Sequence, residues 1–279
     1  MSFIDLHIHT NASDGSCAPE EIVFEALEIG LSAIAITDHD SVDGVYPAIK
    51  AARGYPIMVI PGVEITTVFN GRNIHLLGLN IDYTDYTLVS ALTETAKIRH
   101  DRNEKMCQLL NEHGVDISLD ALYRNLGSRV ITRSNIAQYL LDNGYVKDKM
   151  EAFDKYIGNK SCCYVPKYKL PLETACALIL GAKGVCSIAH PVQYKMTEDE
   201  YLELFLEAKK MGIQCVEAIH SDNSPEDDIM FRELAKRAGM LITGGSDYHG
   251  IFKPDISLGT GRGNLMIPAS LLKNIGINI

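Results

Sequence analysis

At 279 residues, 46% of them hydrophobic and with a mean hydropathy near zero, the chain is an ordinary globular protein long enough for one large barrel or two domains. No apolar run reaches the roughly 18 residues that cross a bilayer. Asp5 and two histidines break up any basic-then-apolar leader, so a cytoplasmic protein is expected. A formal charge of -10 argues against a surface made to hold long nucleic acid, which usually needs a basic stripe; an anionic substrate has to be met locally, by metals or a few basic side chains.

The first predicted element is the strand "FIDLHIHT". Its period of two sets Ile4, Leu6 and Ile8 toward one layer and Asp5, His7 and His9 toward the other. Two imidazoles on one face either share an ion or form a hydrogen-bonded core pair. "APEEIVFEALEIG" follows as a helix with Pro19 and two glutamates at its start and Gly30 at its end. "SAIAITDHD" is a second strand, "VYPAIKAARG" a short helix, and "PIMVIPGVEITTVF" and "RNIHLLGLNI" are further strands. Continuous apolar strands alternating with helices predict a buried parallel sheet.

From about residue 88 the pattern becomes helical and charged, through "LVSALTETAKIRHDRNEKMCQLLNEHG", "SLDALYRNLG", "SNIAQYLLDNG" and "DKMEAFDKYIG", each closed by glycine, with no strand before "CCYVP". Alternation then resumes: helix "PLETACALILGAKG", strand "VCSIAHP", helix "EYLELFLEAKKMG", strand "IQCVEAIHS", helix "PEDDIMFRELAKRAG", strand "MLITGGSDYHG". A helical insertion, residues 88–167, interrupting one α/β barrel formed by 1–87 and 168–279, explains this order better than two consecutive domains. The seven cysteines (Cys17, Cys107, Cys162, Cys163, Cys176, Cys186 and Cys215) are odd in number and contain no C-x-x-C pair. They suit reduced, mostly buried thiols better than a disulfide framework or a zinc ribbon.

The chemistry-bearing residues gather at the strand ends: His7 and His9, His39 in "TDHD", Glu64 in "GVEI", His75, His190 in "AHP", and Asp247 and His249 in "GSDYHG". In a parallel barrel the C-terminal strand ends share one face, so residues remote in sequence converge there. A mixture of imidazole and carboxylate is the ligand chemistry of zinc, manganese or iron rather than calcium. Asp38 and Asp40, flanking His39, are either carboxylates that orient imidazoles or solvated turn residues.

Taken together and in order, "DLHIHT…SDG", "TDHD", "GVEI", "HLLG", "AHP" and "GSDYHG" resemble the polymerase and histidinol phosphatase (PHP) family of metal-dependent phosphoesterases. The resemblance implies a distorted (β/α)7 TIM-like barrel with two or three divalent metals, manganese, iron or zinc. It assigns His7, His9, Glu64 and Asp247 to one metal, Glu64, His75 and His190 to a second, and Asp14, His39 and His249 to a third, with Glu64, Asp247 and His249 carrying the catalytic chemistry. Metals so held activate a water and neutralise charge on a phosphoryl group.

"RVITRSNIAQYL" resembles the family segment Gly-Arg-Pro-His-Ile-Ala, which opens a helix over the active site. Arg133 takes the place of a phosphate-binding arginine; Ser134 and Asn135 stand where the family has Pro and His. Lys167 in "YVPKYKL" is either a second phosphate contact or a solvated loop lysine, and His220 is expected at the barrel rim as a substrate residue. His100 and His113 are expected on the surface. The implied activity is hydrolysis of a nucleotide phosphate monoester, from a nucleoside 3′,5′-bisphosphate or a nucleoside monophosphate. Alternatives are 5′-3′ trimming of short RNA, histidinol phosphate hydrolysis, a carbon-nitrogen amidohydrolase, and a non-catalytic metal-binding module. The expected partner is a small phosphorylated molecule, with no membrane and no long nucleic acid.

Overall fold

The computed structural model describes residues 2–126 and 130–277. The chain begins β1 (Phe3–Ile8), α1 (Pro19–Glu28), β2 (Leu31–Ile36), α2 (Val45–Ala51), β3 (Met58–Phe69) and β4 (Arg72–Leu79). Four helices follow, α3 (Tyr86–Glu112), α4 (Leu119–Leu126), α5 (Arg133–Asp142) and α6 (Lys149–Ala152), the last running into a π turn at Phe153–Ile157. The remainder is β5 (Leu170–Pro171), α7 (Leu172–Gly181), β6 (Val185–Ile188), α8 (Glu198–Lys210), β7 (Cys215–His220), α9 (Pro225–Arg237), β8 (Leu241–Gly245) and α10 (Ser270–Asn274). Backbone proximity divides the chain into two compact units, Met1–Leu92 with Lys169–Ile279, and Thr93–Tyr168. No helix among the described residues is long and apolar enough to cross a membrane.

The first unit is a distorted TIM-like barrel. Its strands run in the order β1-β2-β3-β4-β6-β7-β8, with the two-residue β5 attached to β3. The sheet closes back on itself where the Asp247 N–H donates to His7 O (2.9 Å) and the His9 N–H to Tyr248 O (3.0 Å). The sheet is mixed, not parallel throughout as expected: β4 is antiparallel to both β3 and β6. The cause is local. Asn70 and Gly71, at φ 47° and 76°, form a two-residue turn of the kind that returns a strand beside itself.

Ile4 and Leu6 pack in one apolar cluster with Ala33, Ala35 and Leu77, whereas Ile8 packs in another with Ile22, Ile34 and Ile36. The three were expected in one layer. A register irregularity between Asp5 and Ile8 shifts the alternation by one, which is what an extra residue in a strand does. The irregularity falls where the two histidines begin, and it leaves His7 and His9 turned toward each other. β8 approaches β1 so closely that a Cβ on Gly245 would overlap the His7 Cβ, and only glycine fits there.

The second unit buries its own core, including Met106, Leu110, Ile131, Ile136, Leu140 and Ile157. α5 starts on a reciprocal cap: the Asn135 N–H donates to Thr132 Oγ1 (3.4 Å) and the Thr132 N–H to Asn135 Oδ1 (2.8 Å). "CCYVP" is not the expected strand. Cys162 and Cys163 lie in a turn, held by the Cys163 N–H donating to Tyr156 O (2.9 Å) and the Tyr164 N–H to Ser161 O (3.2 Å), and sheet pairing begins only at Leu170. Gly127, expected to close α4, and Arg129, the first residue of "RVITRSNIAQYL", lie outside the described residues.

Candidate metal centre

Five strands bring polar residues around the Glu64 carboxylate, His7 and His9 from β1, His39 after β2, Glu64 and His75 from within β3 and β4 rather than at their ends as expected, and His190 after β6. Oε1 lies 2.8 Å from His75 Nδ1 and 2.9 Å from His190 Nε2. Oε2 lies 2.9 Å from His39 Nδ1, 3.2 Å from His9 Nε2 and 3.4 Å from His7 Nε2. Backbone bonds fix this arrangement: the Glu64 N–H donates to Asp38 O (3.1 Å) and the Asp40 N–H to Glu64 O (2.8 Å), so His39 and Glu64 sit side by side. Asp247 Oδ1 is 3.4 Å from both His9 Nε2 and His249 Nδ1. Asp14 Oδ1 is 3.4 Å from His249 Nε2 and 3.6 Å from His9 Nδ1. All nine residues expected as metal ligands are thus in one constellation.

The cluster has the chemistry of a cation site. Glu64 Oε2 and His39 Nδ1 are buried and close, yet among the described residues neither has a hydrogen-bond partner. An acceptor left so costs about 1–3 kcal/mol unless something else takes it up. His7 Nε2 and His9 Nε2 face each other at 3.1 Å, and two imidazole nitrogens in that position must share a proton or a cation. Four sets hold ligand atoms within 4.8 Å of one another: His9, Asp14, His39 and His249; His7, His9 and Asp247; His7, Glu64 and His190; and His39, Glu64 and His75. They overlap the three expected sets without reproducing them, because His9 also joins the Asp14 group, and His75 and His190 face Glu64 in separate sets.

The electrostatics follow from crowding. Burial raises the pKa of Glu64, but the charges of His39, His75 and His7 outweigh it and hold the carboxyl well below its ordinary value. Asp247 is held well below in the same way, with Lys253 and His249 opposing the burial. Burial lowers His7, and Glu217, Glu64 and Asp247 more than reverse this, so its pKa stands well above 6.5. Burial lowers His75 to about 4, the neighbouring His190 and His39 adding to it against the pull of Glu64. His190 and Asp247 take positive φ, 26° and 59°, a strain of roughly 1–3 kcal/mol each that accompanies functional turns.

Two residues of the site had no place in the sequence expectation. Glu217, in the middle of β7, lies 3.0 Å from His7 Nδ1 and accepts the His190 N–H at 2.6 Å. A carboxylate inside an otherwise apolar strand needs a partner, and that was the available signal. Lys253 donates to Asp247 Oδ2 at 2.6 Å from a loop whose sequence offers no comparable cue.

Other expected residues fall differently. His220 is fully buried, not at the rim. The Asp222 N–H donates to its Nδ1 (3.1 Å), so the ring proton is on Nε2, which lies 3.7 Å from Asp247 Oδ2, too far for a hydrogen bond, and is without a hydrogen-bond partner among the described residues. Asp38 and Asp40 are also buried, but they tie backbone and hydroxyls. Asp38 accepts from the Thr10 N–H (2.8 Å) and the Ser13 O–H (2.5 Å), and Asp40 from the Thr66 N–H (3.1 Å). Within the helical unit, Arg133 donates to Ile157 O (3.2 Å) and Asn159 Oδ1 (3.0 Å) and lies over the Phe153 and Tyr164 rings, while Ser134 and Lys167 are exposed.

Solvent reaches the constellation at Asp14, His39 and His75, whose side chains remain 18, 17 and 24% exposed. Beside His75 and His190 opens a cleft of about 390 Å³, also lined by Arg72, Asn73, Gln193 and Tyr194. Arg72 supplies a cation there, paired with Glu200 at 2.6 Å.

Comparison with known proteins agrees with this geometry. The PHP domain family model matches residues 5–162. A 5′-3′ exoribonuclease of Haemophilus influenzae is 32% identical over 245 residues, 88% of this chain and 89% of the relative. A 3′,5′-nucleoside bisphosphate phosphatase of Chromobacterium violaceum is 32% identical over 250 residues, 89% of this chain and 88% of the relative. A structure from Bifidobacterium adolescentis, assigned as a metal-dependent phosphoesterase, superposes with a TM-score of 0.82 at 28% identity and covers 100% of this chain and 98% of that one. With a carboxylate ringed by five imidazoles drawn from the strands of a barrel, and with the family match spanning more than half its length, the chain belongs to the PHP domain family and is a metal-dependent phosphoesterase.

Proposed function

We propose that the protein removes a phosphate from a nucleotide, a nucleoside 3′,5′-bisphosphate or a nucleoside monophosphate, using two or three divalent cations of manganese, iron or zinc. The observation that carries this is the unsatisfied Oε2 of the Glu64 carboxylate among imidazoles, next to a cleft of a volume that accepts a small phosphorylated molecule. His7, His9, Asp14, His39, Glu64, His75, His190, Asp247 and His249 are assigned as the metal ligands. Cations held by them supply a deprotonated water and offset the charge that grows on the phosphoryl oxygens.

The chain's own residues set up that chemistry. Glu64 presents each oxygen to a different group of imidazoles, and Asp247 adds another buried carboxylate. His249 commits its Nδ1–H to Asp247 O at 2.8 Å, which leaves Nε2 with the free lone pair on the Asp14 side. Lys253 compensates Asp247 and keeps a cation at the edge of the site. Arg133, Ser134, Asn135 and Lys167 are assigned to substrate choice by the non-reacting part of the nucleotide. Asn135 contributes there through its side-chain amide N–H, since its side-chain oxygen and its backbone N–H are both taken by Thr132.

Relatives named for nucleoside bisphosphates and for 5′-3′ exoribonuclease action support a nucleotide-type substrate. Short RNA held by a terminal phosphate is the second reading, consistent with a net charge of -10 that disfavours long polyanions. Phosphate release from the manganese-reconstituted protein should be measured on mononucleotides, nucleoside bisphosphates, short RNA and histidinol phosphate. The highest kcat/KM is expected on a nucleotide monoester. A preference for histidinol phosphate, or for RNA with inert mononucleotides, sinks the leading assignment.

A further inference from the structure

We propose that His113, Cys162 and Cys163 form a second metal site, within the helical unit, for a tetrahedral thiophilic divalent cation of the zinc type. Consecutive residues of an extended chain point to opposite sides, so adjacent cysteines rarely address one point. Here a turn makes them do so. The Ser161 hydroxyl donates to Phe153 O (2.8 Å) and Asp154 O (2.9 Å), and the Cys163 N–H donates to Tyr156 O (2.9 Å). The two sulfurs come to 3.6 Å, with Cys163 Sγ 3.7 Å from His113 Nδ1.

Those separations are the edges of a metal tetrahedron. With metal–sulfur bonds of roughly 2.3 Å and metal–nitrogen bonds of roughly 2.0–2.1 Å, tetrahedral angles give edges of about 3.8 Å between two sulfurs and about 3.6 Å between sulfur and nitrogen. All three residues offer a donor atom within 4.8 Å of the other two, so the third pair is near enough for a side-chain rotation to bring it to the same ion. Cys163 is buried while Cys162 and His113 are exposed, so the face is open to an entering cation and a water can fill the fourth position.

The proton balance is simple. His113 Nδ1–H now donates to Leu109 O at 2.8 Å, an oxygen that also accepts the His113 backbone N–H at 3.2 Å and so is not orphaned if the ring lets go. On metal uptake the ring proton moves from Nδ1 to Nε2, and two thiol protons leave to solvent. Burial and the Cys162 hydrogen bond push the Cys163 thiol up to about 12, so without a cation it stays protonated. Two thiolates and an imidazole select a softer ion than the barrel centre, whose donors are imidazole and carboxylate without sulfur. The site would clasp the end of α3 to the turn that follows the π turn, and its binding free energy would add to the stability of the helical unit.

Cobalt(II) distinguishes the two sites, because only thiolate ligation produces an intense near-ultraviolet charge-transfer band. Metal-free full-length protein, reduced and titrated with cobalt(II) alone, should develop that band. Cys162→Ser, a change at an exposed position, should cut the band by about half and weaken the affinity for cobalt at this site about tenfold or more. His113→Gln should keep the band but weaken binding to a similar degree. The double variant Cys162→Ser/Cys163→Ser should lose the band and still bind cobalt in the barrel. If the double variant fails to fold, Cys162→Ser and His113→Gln decide the matter alone. A wild-type protein with no thiolate band at saturating cobalt overturns the proposal. So does a band unchanged in Cys162→Ser, and so does a reduced protein that still shows a Cys162–Cys163 disulfide in place of metal.

Discussion

Glu217 ties His7 to the backbone of His190: its Oε1 and Oε2 lie 3.0 and 3.1 Å from His7 Nδ1, and Oε2 also accepts the His190 N–H at 2.6 Å. Both side chains are fully buried. The carboxylate therefore decides which nitrogen of His7 carries the proton and turns Nε2 toward His9 and Glu64. Glu217→Gln keeps the volume and one hydrogen bond but loses the charge. Metal affinity should fall about 10- to 100-fold, the usual cost of losing a partner that orients a metal-binding imidazole, with little change in the far-ultraviolet circular dichroism. Elemental analysis after dialysis against a weak chelator checks this, and unchanged metal retention would remove Glu217 from the site's machinery.

Glu64→Gln should be more severe. The substitution takes one negative charge from the point where five imidazoles meet. Turnover should drop by at least roughly 100-fold, the scale of losing a group that holds transition-state charge, and metal content should fall with it. The barrel should stay folded, since the amide fills the same space. A variant with full metal content and the parent rate would show that Glu64 is a core hydrogen-bonding residue.

The raised pKa of His7 makes metal uptake a proton-releasing step. In the metal-free protein Glu217, Glu64 and Asp247 keep this ring protonated well above its ordinary value despite burial. The stabilisation from that charge is complete below the unfolded value of about 6.5 and is lost as pH rises through the raised folded value. A bound cation needs the neutral ring, so it competes with that proton and gains as pH rises. The difference in Tm between metal-loaded and metal-free protein should therefore widen from about pH 6 to about pH 8.5, and manganese titration in weak buffer should release protons. A difference that is flat across this range would contradict the linkage.

The gathering of imidazoles and carboxylates was legible in the sequence because strand ends of a barrel share a face, and His9, His39, His190, Asp247 and His249 sit at or just past such ends, whereas Glu64 and His75 lie within β3 and β4 and Asp14 in the turn after β1. The mixed sheet was legible too, but in a different signal: the Asn70-Gly71 dipeptide between two apolar runs marks a hairpin, and the continuous apolar texture of β3 and β4 concealed it. The register irregularity in β1 carries no sequence mark, since Ile4, Leu6 and Ile8 alternate perfectly until the neighbouring strand is in place. Buried partners behaved likewise. His220 is the last residue of an apolar strand, where a rim residue would sit, and its burial goes with the folded loop that brings the Asp222 N–H to its Nδ1. Lys253 reaches Asp247 from a loop, where no periodicity constrains a lysine.

Arg133 is where a binding role and a structural role make separable demands. Its guanidinium already donates to Ile157 O (3.2 Å) and Asn159 Oδ1 (3.0 Å) and stacks over Phe153 and Tyr164, contacts that hold the start of α5 to the π turn. Arg133→Ala should for that reason lower Tm by a few degrees, about 2–4 °C per kcal/mol for a chain of this size. If the same group also meets a substrate phosphate, losing a charge-assisted contact of roughly 1.5–3 kcal/mol should raise KM about 10- to 100-fold with metal content unchanged. The rise should be larger for a nucleoside bisphosphate than for a phenyl phosphate ester, which has no second anionic group to lose. Arg133→Lys keeps the charge but not the planar fork, so it should recover part of the KM and little of the Tm. Equal loss on both esters would place the guanidinium at the scissile phosphate. A lowered Tm with KM unchanged on both would leave Arg133 as a clamp within the helical unit and pass substrate choice to other residues.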